Sequence, residues 1–425
     1  MGNNHLHIGG IDVIDLANKY GTPLFVYDVN KIRNNARSFV SAFKKHDVNF
    51  KVSYASKAFS TVAIIQVMKQ EGLNIDVVSE GELYTAIKAD FPRENIHMHG
   101  NNKSIEELEL AIDEKIGCIV VDNFYEISLL EGLLEEKDET INILLRMTPG
   151  IEASTHDYIL TGQEDSKFGF DLESDQADNA LKKLINHPRL NVKGVHCHIG
   201  SQIFDADGYI LTIQKLVERI KKWKTDYDFT TEVLNVGGGF GIQYTDEDQP
   251  LSIETFVDTI VQEVKKEVNE KDLNMPEIWI EPGRAIVGEA GITVYTVGSI
   301  KDIPGIRKYV SIDGGMTDNL RPALYNAKYN AVIANKLNEP NHELVSIAGK
   351  CCETGDMLIW DLNVPTIESG DYLAVLSTGA YGYSMANNYN RFPKPAVVFV
   401  EDGKDKLVVK RETIEDLIRY DLSYE

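Results

Sequence analysis

The chain has 425 residues, 43% of them hydrophobic and 26% charged, which is enough for two globular domains, one of them a barrel. Its formal net charge of −23 argues against nucleic acid or an anionic membrane as a partner, since either would be repelled. Four scattered cysteines, no run of about eighteen apolar residues and no basic-then-apolar start at Met1–Leu6 read as cytoplasmic, without a disulfide framework, membrane span or secretory signal.

Residues 1–35 hold an amphipathic segment, Ile11 to Tyr20, ended by Gly21-Thr22-Pro23, and then a strand, Leu24 to Asp28. Over residues 36–285 short apolar runs alternate with helical periodicity: Lys51–Ala55, Ile75–Ser79, Ile96–His99, Cys118–Asp122, Ile143–Arg146, Val192–His196, Val233–Val236 and Ile278–Ile280. Continuous apolar strands between amphipathic helices predict a parallel sheet, and eight of them predict a closed TIM-like (β/α)8 barrel. A doubly wound open sheet fits the same pattern. Beyond Arg284 the runs Val294–Val297, Tyr309–Ile312, Glu343–Ile347, Met357–Trp360, Tyr372–Leu376, Ala396–Val400 and Lys406–Val409 leave little room for helices. They predict a mostly antiparallel β domain, formed by residues 1–35 and 286–425 and completed by Leu24–Asp28. Glu412–Asp421 returns to helical spacing.

Chemistry in such a barrel collects where the strands end. Lys57 follows the strand Val52–Ala55, before a helix that begins near Val62. An unprotonated lysine there can form a Schiff base with an aldehyde such as pyridoxal phosphate, although taken alone Lys57 also reads as a solvated side chain. The next strands end in Ser79-Glu80-Gly81-Glu82, His99-Gly100-Asn101-Asn102-Lys103, Asp122-Asn123 and Arg146. His196 and His198, two apart, point to one side and could offer two metal ligands. No third and fourth ligand with suitable spacing is apparent, so no metal is expected; His196 is expected in the core and His198 against an aromatic ring. Asn235-Val236-Gly237-Gly238-Gly239-Phe240-Gly241 predicts an anion cradle, because glycines let backbone N–H groups close around a phosphate. Glu281-Pro282-Gly283-Arg284 pairs a carboxylate, suited to a protonated ring nitrogen, with an arginine suited to an anion.

In this order YASKAF, HCHIGSQ, NVGGGFG, EPGR, LRPALY, CCETGD and GAYGYSM resemble the diaminopimelate decarboxylases, pyridoxal-phosphate enzymes on an alanine-racemase-like barrel, over nearly the whole chain. The stretch Thr161–Gly169 is similar to the diaminopimelate branch rather than the ornithine or arginine branches.

The resemblance implies that Lys57 holds pyridoxal 5′-phosphate and that His198 stacks on the ring. It implies that Glu281 keeps the ring nitrogen protonated, and that Ser201, Gly238, Gly239, Pro282, Gly283, Arg284 and Tyr381 bind the phosphate. Arg284, Arg321, Tyr325, Glu353 and Tyr381 would hold the substrate, and Cys352 would donate a proton near the reacting carbon. It further implies a homodimer with shared active sites, in which the second subunit supplies Cys352 and Glu353. The product would be L-lysine from meso-diaminopimelate, in the last step of lysine biosynthesis. Decarboxylation of ornithine or arginine, racemisation, and a non-catalytic cofactor-binding role are the alternatives on the same fold. Glu80, Lys350-Cys351 and Arg391-Phe392-Pro393 depart from the family pattern without removing a residue of proposed chemical role.

Overall fold

The computed structural model describes residues 4–151 and 166–425, which leaves most of the 158–170 loop outside the described residues. Two compact units emerge: Asn35–Ile242 with Gln249–Ala285, and Met1–Asn34 with Gln243–Asp248 and Ile286–Glu425.

The first unit is built on eight parallel strands: β1 Phe50–Ala55, β2 Asn74–Val77, β3 Ile96–Met98, β4 Cys118–Val121, β5 Ile141–Thr148, β6 Leu190–His196, β7 Val233–Asn235 and β8 Glu277–Ile280. Each pairs with the next, and β8 pairs with β1, so the sheet closes on itself. The barrel predicted from the alternating pattern is therefore the one observed, and the open sheet is not. A two-residue strand, Phe170–Asp171, extends the end of β5. The β6–β7 seam is tight: a Cβ on Gly194 would stand 1.9 Å from the Val233 carbonyl oxygen, so only glycine fits.

Short strand-to-helix loops work because their last residue caps the helix. Thr61, Ser79, Ser104 and Asn123 each accept a hydrogen bond from the backbone N–H three residues on, satisfying one of the exposed donors of the first turn. Ser79 therefore serves the helix Glu80–Lys88, and Glu80 is exposed on its first turn.

The second unit is a mixed sheet. Leu24–Asp28 lies between β9 (Gly291–Ile303) and β15 (Ala396–Glu401). β9 also pairs with β10 (Arg307–Ile312) and with β14 (Tyr372–Val375), which carries β11 (Ala331–Ile333). Beyond β10 come β12 (Glu343–Ala348) and β13 (Met357–Val364); β16 (Lys404–Val409) flanks β15. Most pairs are antiparallel, but β10–β12 and Leu24–Asp28 with β15 are parallel. Helix Val13–Tyr20 packs Val13, Leu16 and Ala17 onto Leu24, Val26, Val398 and Val400. At the C-terminus the expected helix is a single 3₁₀ turn, Glu415–Ile418, with no buried residue: its spacing has no apolar surface to meet.

Candidate active site

Strand periodicity generates the polar layer of the barrel. Alternate residues point to one side, and residues paired across a ladder share that side. Val120, Leu144, Val233 and Trp279 belong to one buried apolar cluster. Two positions further along the same strands stand Asp122, Arg146, Asn235 and Glu281. His196 is in register with both Arg146 and Asn235, while Asp76 is in register with Ala55 and His97. His99 follows His97 by two. At the C-terminal lip the apolar floor gives way to acids, imidazoles and a guanidinium.

Glu281, buried, is the hub. Its Oε1 accepts from the Asn235 amide at 2.6 Å and stands 2.9 Å from His99 Nε2; its Oε2 stands 3.1 Å from His196 Nε2. Burial alone would push this carboxyl up, but the facing imidazoles of His99 and His196 hold it well below the usual range. Burial would likewise lower His99, yet the charges of Asp76 and Glu281 outweigh it and raise its pKa. His196 is brought down to about 4 by burial. It therefore serves Glu281 as a neutral donor through Nε2, and its buried Nδ1 has no hydrogen-bond partner. The core position expected for His196 is correct, but its work there is polar. His99, His196 and Glu281 bring donor atoms within 4.8 Å of one another. Their contacts are hydrogen bonds and ion pairs to the carboxylate, and His198, expected on the same side, is not among them.

Lys57 stands exposed in the turn Ser56–Ala58 directly after β1. Its charge is felt by Asp76, Glu82 and His198. Glu82 is fixed beside it, accepting from Ser56 Oγ at 2.7 Å and the Val78 N–H at 2.9 Å. Burial, reinforced by Lys57, holds His198 well below its ordinary pKa, so the ring is a neutral imidazole.

The glycines after β7 have a packing cause of their own. A Cβ on Gly237, Gly238 or Gly239 would stand 2.3, 2.1 or 2.5 Å from the carbonyl oxygen of Cys197, Glu281 or Gly200 respectively. The Gly238 N–H donates to His198 Nδ1 at 3.3 Å, so this loop orients the imidazole as well. Next to it the buried Arg284 donates to Ser201 Oγ at 2.8 Å, and the Pro282 carbonyl accepts from the Ala55 N–H at 3.2 Å. Gly283 lies 3.0 Å, by its missing Cβ, from the Ala55 carbonyl oxygen.

This donor set fits pyridoxal phosphate. The Glu281 carboxylate accepts hydrogen bonds from Asn235 and His196, with His99 Nε2 as a close ion-pair partner, and of its roughly four acceptor sites it keeps capacity for a ring N–H. A neutral imidazole suits a ring face, and a guanidinium beside a hydroxyl suits a phosphate.

The second unit has two polar clusters of its own. Arg321, buried at the start of helix Arg321–Tyr325, donates to Tyr329 at 2.7 Å and to Tyr244 at 3.1 Å, and its guanidinium carbon lies 6.0 Å from the Tyr381 ring. Tyr381 takes φ +60° between Ala380 and Gly382. Tyr325 is half-buried at the end of that helix, whereas Tyr244 and Tyr329 escaped notice in the sequence. Cys352 and Glu353 are exposed on a turn anchored by buried Asp356, which accepts from the N–H groups of Met316 at 2.6 Å and Cys351 at 2.8 Å. The Cys352 N–H donates to Asn390 Oδ1 at 2.8 Å. Cys351, the unusual neighbour, is buried.

The model of the pyridoxal-dependent decarboxylase pyridoxal-binding domain matches residues 29–288. The chain is 58% identical to the diaminopimelate decarboxylase of Bacillus subtilis, over 99% of this chain and 96% of that one. It is 61% identical to that of Bacillus methanolicus, over 96% and 94%. The crystal structure of the M. jannaschii diaminopimelate decarboxylase in complex with L-lysine superposes with a TM-score of 0.93, at 37% identity, over 99% of this chain and 96% of the other. A match at this level across both units, with the polar layer gathered on Glu281 and Lys57 standing beside it, places the chain in the diaminopimelate decarboxylase family of pyridoxal-dependent decarboxylases.

Proposed function

We propose that the chain converts meso-2,6-diaminopimelate to L-lysine and CO2 with pyridoxal 5′-phosphate at the C-terminal lip of its barrel. The observation that carries this reading is the buried Glu281 carboxylate, kept ionised by His99 and His196 with acceptor capacity to spare. When bound, the cofactor supplies the electron sink that loss of CO2 requires.

The chain's own residues do the rest. Lys57 would hold the cofactor's carbonyl carbon through its amine, at the position the substrate amine would also use. Glu281 holds the proton on the ring nitrogen, and neutral His198 covers the ring face. Ser201, Gly239, Gly283 and Arg284 hold the phosphate with Tyr381, while Gly238 and Pro282 fix the backbone around it. Arg284, Arg321, Tyr325, Glu353 and Tyr381 hold the distal end of the substrate. A second carboxylate there favours guanidinium groups, which pair it with two parallel hydrogen bonds. Cys352 returns a proton to the carbon that lost CO2. Its exposure together with that of Glu353 supports a homodimer in which each subunit lends this turn to the other's site. The setting is the cytoplasm.

The test is an absorbance spectrum of the purified protein with pyridoxal phosphate, followed by separate addition of meso-diaminopimelate, ornithine and arginine with assay of CO2 and amine. A visible band, and CO2 with lysine from diaminopimelate alone, is expected; turnover of ornithine or arginine instead overturns the substrate. Lys57→Ala should lose band and turnover. Mixing it with Cys352→Ala should restore activity only if sites are shared between subunits.

A further inference from the structure

Asp76 is a buried carboxylate between Ile75 and Val77 on β2, and its Oδ1 has no hydrogen-bond partner. Leaving such a group unpaired is costly. The nearest cation is His99, whose Nε2 lies 3.8 Å from Asp76 Oδ1 and 2.9 Å from Glu281 Oε1. One imidazole edge thus faces two carboxylates. Glu281 is already held by Asn235 and His196, so its orientation survives without His99. What His99 adds is charge.

We propose that Asp76 and His99 form a positioning pair in which Asp76, touching no substrate, keeps His99 an imidazolium and thereby keeps Glu281 a carboxylate. The inference rests on Glu281 being the partner of the cofactor's ring nitrogen. Asp76 gives His99 a second anion, so that His99 holds its proton where a single carboxylate in a buried site would tend to take it. The groups facing this pair are few. Asp76 also feels Lys57, Glu82 and Glu281, and His99 also feels Arg146. His196 meets the His99 ring edge-on at 4.7 Å, and His97 lies on the same strand. Burial, with the Glu281 charge adding to it and His99 opposing it, pushes Asp76 up to about 7.

The experiment is a long-range ¹H–¹⁵N correlation spectrum of the ¹⁵N-histidine-labelled holoenzyme across pH 6–9, with His99 assigned by its loss in His99→Gln. The absorbance maximum of the bound cofactor is followed over the same range. Both ring nitrogens of His99 should carry protons at pH 8 in the natural protein. In Asp76→Asn the second proton should be lost at least about one pH unit lower, and the pH profile of the cofactor band should move the same way. Asp76→Glu, which keeps the charge and tolerates any folding defect of the amide, should restore both signals. A neutral His99 at pH 7 in the natural protein, or an Asp76→Asn profile that does not move, overturns the proposal. Glu281→Gln separates the two readings: an unchanged cofactor band there removes the role of Glu281 and the proposal with it. A changed band with an unmoved Asp76→Asn profile overturns the proposal alone.

Discussion

The Asn235 side chain joins two parts of the site at once: its amide donates to Glu281 Oε1 at 2.6 Å, and its carbonyl accepts the Gly237 N–H at 2.9 Å. It is wholly buried. Asn235→Ala strands a buried backbone N–H and removes a donor from a buried carboxylate. It should cost about 3 kcal/mol of stability and weaken retention of pyridoxal phosphate, read by urea denaturation and by dialysis of the holoenzyme. Unchanged stability would show that water replaces the amide.

Two glycines give a paired test of close packing. A Cβ at Gly238 would lie 2.1 Å from the Glu281 carbonyl oxygen, whereas one at Gly132, within helix Phe124–Lys137, meets nothing within 4 Å. Gly238→Ala must push β7 from β8 and should destabilise by more than about 3 kcal/mol. Gly132→Ala should stabilise by about 1 kcal/mol through helix propensity. Melting temperatures of the two variants should move in opposite directions.

Lys103 is buried and reaches Glu126 Oε1 at 2.8 Å, with the carbonyls of Gly100 and Val120 at 2.9 and 2.8 Å. Glu126 in turn accepts the Asp122 N–H at 3.1 Å. Lys103→Met leaves an uncompensated buried carboxylate and should cost about 3–5 kcal/mol. Adding Glu126→Leu should recover the part due to charge but not the part due to the stranded backbone groups. A denaturant series on both variants measures the difference; a double variant no better than Lys103→Met would mean the backbone bonds carry the effect.

Acid should destabilise the barrel through its histidines. Burial brings His196 to about 4 and His97 to about 3, and holds His198 lower than usual as well. An unfolded histidine takes up its proton near pH 6.5. Between pH 6.5 and about 4 the unfolded chain thus binds more protons than the folded one, and stability falls with pH. Asp76 and Asp318, both raised to about 7, act oppositely over this window, as do Glu82 and Glu126, which burial also raises, so the histidine contribution is read from single substitutions. Each histidine kept neutral in the fold contributes up to one proton, about 1.4 kcal/mol per pH unit. His99, raised in the fold, contributes stability that is present below pH 6.5 and lost at higher pH, so it does not soften the acid limb. Urea midpoints at pH 6.5, 5.5 and 4.5 give the slope, and His196→Asn should flatten it by about one proton.

The barrel was legible because a parallel strand covered on both faces must be apolar along its length, and the eight runs stand out between amphipathic helices. Lys57, His198, Glu281 and Arg284 drew notice by their place just after such runs. Asp76 was not. It interrupts the run Ile75–Val77 by a single residue, and its meaning depends on His99 at the end of neighbouring β3 and on Glu281 at the end of β8, on the other side of β1, which no local window contains. Tyr244 and Tyr329 were missed for a similar reason: they flank Arg321 only in space. The tail Glu412–Asp421 failed in the other direction, since helical spacing without a surface to bury gives one turn at most. β11, three residues long, is too short to show any period.

The seam between β1 and β8 joins Phe50 to Ile278 and Val52 to Ile280, so the first barrel strand to leave the ribosome waits for the last. Until that seam closes, Lys57 and Glu281 belong to separate parts of a growing chain, and closing so long a loop is slow. Cofactor capture is therefore a late event in synthesis, and it acts as a latch: a ligand that binds only the closed ring holds it shut in proportion to its concentration. Cells starved of the cofactor should accumulate the chain in a form that proteases find easier to cut.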